Sequence, residues 1–259
     1  MNPQVEAALI AGIVSLISLG GTVVVALQGF HASQQAAKTT ADEAHKDTAD
    51  ILTAQRQQLD DTLEEQHVRT LNERFATAAD KLGNDKPSVR LAGVYAMAGL
   101  ADDWEDNQQT CIDVLCGYLR MPYRPDPGSG EAQLGFLADR EVRHTVISVI
   151  TMHLRGGARK SWQGRDFDFT GAVFDGGGFS GAEFSGGQVS FRDATFSGDE
   201  VSFGRVKFSS GEVNFGGAQF SSGEVNFGGA EFSGATVNFR QAKFSHGTVN
   251  FGEAEFPRS

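Results

Sequence analysis

The residues best suited to metal ligation or nucleophilic attack are two cysteines and six histidines among 259 positions. Cys111 and Cys116 are five apart, which on a helix is about 140° around the axis, so the two thiols cannot face one metal ion. No Cys-x-x-Cys or His-x-x-x-His pair supplements them, and they read as small apolar core residues. His31, His45, His67, His144, His153 and His246 are scattered. His153, on an apolar helical face, reads as a hydrogen-bonded packing residue rather than a ligand. The phosphate-loop, nucleophile-elbow and zinc-protease patterns do not occur. Trp104, in an acidic turn, has the chemistry of a partner-binding anchor, but covering a helix pair is the simpler role. No catalytic, cofactor-binding or metal site is expected, and no enzyme.

The ordered feature of the chain is phenylalanine. Seventeen of its twenty phenylalanines follow Trp162. Phe169, Phe174, Phe179 and Phe184 are five apart; the interval then alternates seven and five through Phe191, Phe196, Phe203 and onward to Phe256. Ala or Val stands two residues before nearly every one, and Ser209–Phe220 and Ser221–Phe232 differ only at Gln219 and Glu231. Small and large apolar residues alternating around a polar one, often Asn (Asn214, Asn226, Asn238, Asn250), form the period-two pattern of a short strand. Nineteen glycines among the last 98 residues exclude a helix. With no Leu, Ile, Met or Cys after Leu154, the core of this segment must be Phe, Val and Ala.

From about Gly164 to Phe256 these units resemble the pentapeptide-repeat family, and with the segments before them the arrangement is similar to its membrane-anchored actinobacterial type. The resemblance implies a right-handed, quadrilateral parallel β-helix with the large residue of each unit inside. The seven-residue step, as in Phe208–Phe215, departs from the family pattern by two residues. It reads as a bulged corner on alternate sides, giving coils of 24 residues; a flat twelve-residue coil is the alternative. Ninety-odd residues then make about four coils, a rod of about 20 Å at the usual strand spacing.

The remaining chain must anchor and cap this solenoid. Ala7–Phe30 carries no charge, and as a helix Ala7–Gln28 would be about 33 Å long, enough to cross a bilayer. Lys38 and Lys46 follow that stretch and no cation precedes it, which favours a single-pass membrane protein with its C-terminal bulk in the cytoplasm. From His31 to Gly83 the Ala-, Gln- and acid-rich sequence reads as a helical stalk. Val68, Leu71, Phe75, Ala78 and Leu82 form a short heptad seam, suited to a coiled coil or to packing on the chain's own neighbours. Pro87 opens a helix, Ile112 to Leu119 lie on a second, Arg124–Gly135 reads as a loop, and Val142 to His153 mark a third helix ended by Gly156-Gly157. The expected organisation is an anchor (1–30), a stalk (31–83), a helical domain capping the first coil (84–161) and the β-helix (162–259). The fold class is thus multidomain α+β.

The expected function is a non-enzymatic, membrane-tethered interaction or scaffold module that shows its outward residues to a protein partner. These include Arg192, Arg205, Lys207, Glu212, Glu224, Glu231, Arg240 and Lys243. The alternative is DNA mimicry directed at gyrase, as the resemblance implies for some family members. Residues 162–259 hold twelve acids and seven bases, a net of −5, against about twelve uncompensated charges on a comparable length of duplex. The overall net charge of −11 also disfavours direct nucleic-acid binding. The repeats run to Phe256 and then Pro257-Arg258-Ser259; an uncapped last coil, or the stalk, would be the place for a homodimer.

Overall fold

The computed structural model describes residues 3–124 and 129–256, with side chains from Gln28 onward except those of residues 131 and 132. Two compact units divide the chain, Met1–His67 and Val68–Ser259. The first is helical: α1 (Pro3–Leu82) supplies its backbone, and every side chain from Gln28 to His67 is exposed. Its threonines, such as Thr48 and Thr62, return their hydroxyls to the carbonyl four residues back. The stretch Ala7–Gln28, on which the expected membrane span falls, lies outside the described side chains except at Gln28. Among the described residues no helix is long and apolar enough to cross a membrane.

The second unit starts with the last turns of α1. Leu71, Ala78 and Leu82 of the heptad seam are buried there and Phe75 is half-buried. They pack with α2 (Pro87–Asp103), which approaches so closely that a Cβ on Gly93 would stand 2.7 Å from the Leu82 nitrogen. The lower seam is thus covered within its own unit, while Val68 at its start is exposed. Pro87 opens α2 at a position where no N–H is required. A 3₁₀ turn leads to α3 (Gln108–Arg120), and α4 (Glu131–Leu154) completes the helical layer. Helix α4 begins inside the stretch expected to be a loop. Gly130, with φ +86°, breaks the chain, but Glu131, Ala132, Gln133 and Leu134 are good helix formers and continue into the apolar run.

The solenoid follows. One sheet holds β1 (Phe167–Asp168), β4 (Glu183–Ser190), β7 (Lys207–Asn214) and β10 (Glu231–Phe232), with β11 (Thr236–Asn238) also paired to β7. A second holds β2 (Val173–Phe174), β5 (Thr195–Phe196), β8 (Gln219–Phe220) and β12 (Lys243–Phe244). A third holds β3 (Gly177–Gly178), β6 (Val201–Ser202), β9 (Glu224–Asn226) and β13 (Thr248–Asn250). All ladders are parallel, and partners such as Phe196↔Phe220, Val225↔Val249 and Phe208↔Phe232 are 24 residues apart. The coil is therefore the 24-residue one and not the flat alternative. The exception lies between the first two coils: Phe174 pairs with Phe196 and Phe167 with Val189, a step of 22, because Phe174–Phe179 is a five-residue side where later coils use seven.

Because each coil repeats the register of the last, like stacks on like. The phenylalanines stand in four columns. In one, Phe169, Phe191, Phe215 and Phe239 are 5.0, 4.8 and 4.8 Å apart between ring centres. In another, Phe179, Phe203, Phe227 and Phe251 are 5.3, 4.8 and 5.0 Å apart. These two columns meet edge to face across the core, as at Phe203–Phe215 (80°) and Phe215–Phe227 (81°). In the later coils, the Asn before each phenylalanine of these two columns has a second duty beyond facing outward. The side-chain oxygens of Asn214, Asn226, Asn238 and Asn250 accept from the backbone N–H two residues on, at 2.7–2.9 Å. Each therefore closes a turn whose later position has positive φ, held by Gly217 and Gly229 in one coil and by Gln241 and Glu253 in the next.

Phe215 is fully buried among rings above, below and across, whereas Phe244 on the last coil is 54 % exposed. Phe215→Ala is expected to lower stability by about 3–5 kcal/mol, and Phe244→Ala by well under half of that. Urea unfolding followed by the fluorescence of Trp104 and Trp162, both in this unit, measures the difference.

Candidate functional site

Two titratable clusters are assembled by the fold, and both lie where the helical layer meets the first coil. The densest surrounds Asp175, whose side chain is 5 % exposed. Its carboxylate accepts from the Tyr123 hydroxyl at 2.7 Å, lies 3.2 Å from His144 Nε2, and pairs with Arg140 Nε at 3.2 Å. Arg140 also pairs with Asp199 of the next coil. Burial of Asp175 opposes its ionisation. The hydrogen bonds from His144 and Tyr123 and the charges of His144 and Arg140 outweigh that effect and hold its carboxyl below the usual carboxylate range. For Tyr123, burial and the adjoining carboxylate raise the phenol. Both carboxylate oxygens of Asp175 are engaged, and the group ties Tyr123 and α4 to the first coil.

The second cluster joins three elements. His153 stacks on Trp162 with ring centres 4.1 Å apart; its Nδ1 is 2.6 Å from the Val149 carbonyl and its Nε2 3.3 Å from Asp102. Trp162 Nε1–H donates to the other Asp102 oxygen at 3.0 Å. With both nitrogens and one face occupied, His153 is the packing residue its helical position suggested. Trp104 is half-buried against the core. Cys111 and Cys116 are buried and unbridged; burial pushes the Cys111 thiol up to about 11 and raises Cys116 as well. Among the described residues no group of three potential ligands stands together to hold a metal ion.

The helical layer meets the first coil through side chains that the repeat pattern alone does not announce. A first coil presents carbonyls with no coil beneath to donate to them. Gln109 Nε2 donates to the Asp166 carbonyl, Arg120 to Asp168, Arg143 to Val173, Thr151 to Gly178 and Arg155 to Ser180, at 2.8–3.1 Å. Arg140 adds a second donor to the Asp175 carbonyl, which also accepts from the Asp199 N–H of the next coil at 3.3 Å. Arg143, 4 % exposed, also takes the terminal carbonyl of Leu119 on α3 and stacks its guanidinium 4.2 Å from the Tyr123 ring centre. The short side of the first coil makes this fit possible. Gly176 and Gly177, both at positive φ, lie under α4, where a Cβ would meet His144 and Ile147.

What remains open to a partner is the outer surface of the coils. Lys207 pairs with Glu231 one coil on, at 3.2 Å, and Arg192 with its neighbour Asp193 at 3.4 Å. Arg205 is exposed at φ +53°. Glu212 is exposed on the first sheet and Glu224 half-buried on the third; Lys243 stands beside Gln219 on the second. Both charge signs are thus mixed along the coils, unlike the uninterrupted anionic edge of a duplex. Arg192, Gly216 and Arg240 occupy one position in successive coils. With Asn214, Asn238 and Gln241 they bound a polar notch of about 260 Å³.

Compared with known families, residues 165–207 match the family described as Pentapeptide repeats (9 copies). The match ends within the second coil, although the same columns and 24-residue register continue through residues 208–256. No curated protein and no solved structure matches the chain.

The depressed carboxyl of Asp175 has a consequence for acid stability. Its stabilising effect is present above the unfolded value of about 4 and is lost as pH falls through the lower folded value. Asp175→Asn should therefore cost about 2 kcal/mol at neutral pH, with the gap to wild type closing in acid below about pH 4. Thermal unfolding across that range tests this.

Proposed function

We propose that the pentapeptide-repeat solenoid is a non-enzymatic protein-interaction module. The observation that carries this reading is the contrast between the two sides of each strand. Inward positions repeat Phe with Ala or Val, coil after coil, and are closed. Outward positions in the same registers vary freely, as in Thr195, Gln219 and Lys243, or Gln188, Glu212 and Thr236. A frame that is uniform within and varied without holds chosen side chains at fixed intervals of one coil, which is how solenoids recognise partners. The same reading takes the winding to be right-handed, the hand that parallel crossovers favour.

The reading includes attachment of the module to a membrane through residues 7–28, with the solenoid on the cytoplasmic side. Its support is the uncharged run from Ala7 to Phe30 and the cations Lys38 and Lys46 beyond it.

A photo-crosslinking residue placed at Gln219, on the open second sheet, should capture a second protein in cells. One at buried Phe215 should not. Absence of adducts from Gln219, Glu212 and Arg205 alike would remove the module reading. For the tether, the full chain should sediment with membranes after carbonate washing and become soluble when Val23 and Val24 are both changed to Asp. A wild-type chain found in the supernatant would refute it.

A further inference from the structure

The notch on the outer face of the coils has a construction that suits one ligand chemistry. Phe191, Phe215 and Phe239 stack at 4.8 Å intervals, so the residues that follow them, Arg192, Gly216 and Arg240, rise along the solenoid in single file. Two guanidinium groups thus flank a position with no side chain, their backbones about two coil spacings, or about 10 Å, apart. A Cβ at Gly216 would stand 2.8 Å from Asn214 Oδ1, yet the same turn carries a side chain in another coil. Arg240 makes the same turn as Gly216, its N–H donating to Asn238 Oδ1 at 2.9 Å just as that of Gly216 donates to Asn214 Oδ1 at 2.8 Å. The opposite turns of these coils carry Gly204, Gly228 and Gly252 in the matching place and hold no such pair of cations.

The floor is closed to ligand by its own bonds, since the Gly217 N–H already donates to the Arg240 carbonyl at 2.9 Å. Recognition therefore falls to the guanidinium forks. Arg192 is steadied by Asp193 yet its side chain is 66 % exposed. Arg240 is exposed and has no ion-pair partner among the described residues. Two arginines with Asp193 in the wall give a lining of one net positive charge, matched to a monoanion and poorly matched to a dianionic phosphate. The adjoining second sheet presents Thr195, Gln219 and Lys243, then Ser197, Ser221 and Ser245, without a carboxylate. Glu212, Glu224 and Glu231 lie on the other sheets, Asp193, Glu253 and Glu255 lie at or beyond the turns, and Asp199 and Glu200 stand at the far corner of the second sheet, where Asp199 pairs with Arg140.

Building on the interaction-module reading, we propose that the notch between Arg192 and Arg240 clamps a carboxylate of an acidic segment of a partner protein. The segment crosses the second sheet toward Lys243. Planar guanidinium forks from two sides suit a carboxylate in bidentate geometry.

The test is titration of the full chain into a labelled peptide of alternating glutamate and serine, read by fluorescence anisotropy at low salt. Arg192→Ala and Arg240→Ala should each weaken binding by about tenfold, and Arg240→Lys should weaken it less than Arg240→Ala. Arg205→Ala, which removes an exposed cation from the opposite turn, should change it less than about twofold. Unfolding curves of all variants should overlay, since these side chains are exposed. An equal loss with Arg205→Ala would overturn the proposal in favour of unselective attraction. Preferential competition by inorganic phosphate, or by duplex DNA, would overturn it in favour of those anions. If Gln219 adducts persist unchanged in the Arg192→Ala, Arg240→Ala double variant, the clamp fails while the module reading stands. Loss of adducts from every outward position in the wild type removes both.

Discussion

Parallel hydrogen bonding between successive coils is the constraint from which the rest of this molecule follows. The ladder fixes the rise near 4.8 Å, and a repeat of 24 residues then places each side chain on its own counterpart. Parallel rings with centres 4.8 Å apart are farther apart than a ring is thick, so within each column they stack offset rather than face to face. Phenylalanine recurs in every column of the core, with alanine and valine between. Polar positions obey the same rule. A residue that must close a turn in one coil must close it in all, which explains the run Asn214, Asn226, Asn238, Asn250.

A repeating ladder has no internal reason to begin, and its first rung is a row of carbonyls without donors. The helical layer supplies them, one side chain at a time, from Gln109, Arg120, Arg143, Thr151 and Arg155. Three of the five are arginines, whose multiple N–H groups let Arg120 reach a carbonyl and still pair with Asp168, while Arg140 beside them pairs with Asp175 and Asp199. The buried carboxylate of Asp175 is the electrostatic counterpart of this arrangement, balancing the cations that the capping requires beside an otherwise aromatic interior.

The features legible in the sequence were those that the period writes down. Alternating steps of seven and five gave the 24-residue coil; the shorter first coil emerged only from the register that sets Phe174 against Phe196 and Phe167 against Val189. The capping contacts were not legible, because Arg143 and Val173 or Gln109 and Asp166 are thirty or more residues apart and carry no repeat. The seam from Val68 to Leu82 was ambiguous for a related reason: a heptad stripe is the same whether it meets another chain or α2, and the close approach at Gly93 shows α2 against its Leu82 end. Helix α4 began earlier than its glycines and prolines implied, since Gly130 alone ends the preceding loop. Among the outward residues, Arg192 and Arg240 looked like isolated charges 48 positions apart until the coils brought them into one column with Gly216 between.

Each later coil consists of two nearly equivalent halves of twelve residues, so that Ser209–Phe220 and Ser221–Phe232 are almost the same text twice. Pairing preferences alone do not distinguish starting points half a turn apart. Only the first coil, with its steps of five, five, five and seven, lacks this near-symmetry, and it is the coil that α3 and α4 grip. The helical layer thereby sets the phase of the whole winding, like the index mark on a screw thread, and every outward side chain beyond it inherits its compass bearing from that one joint.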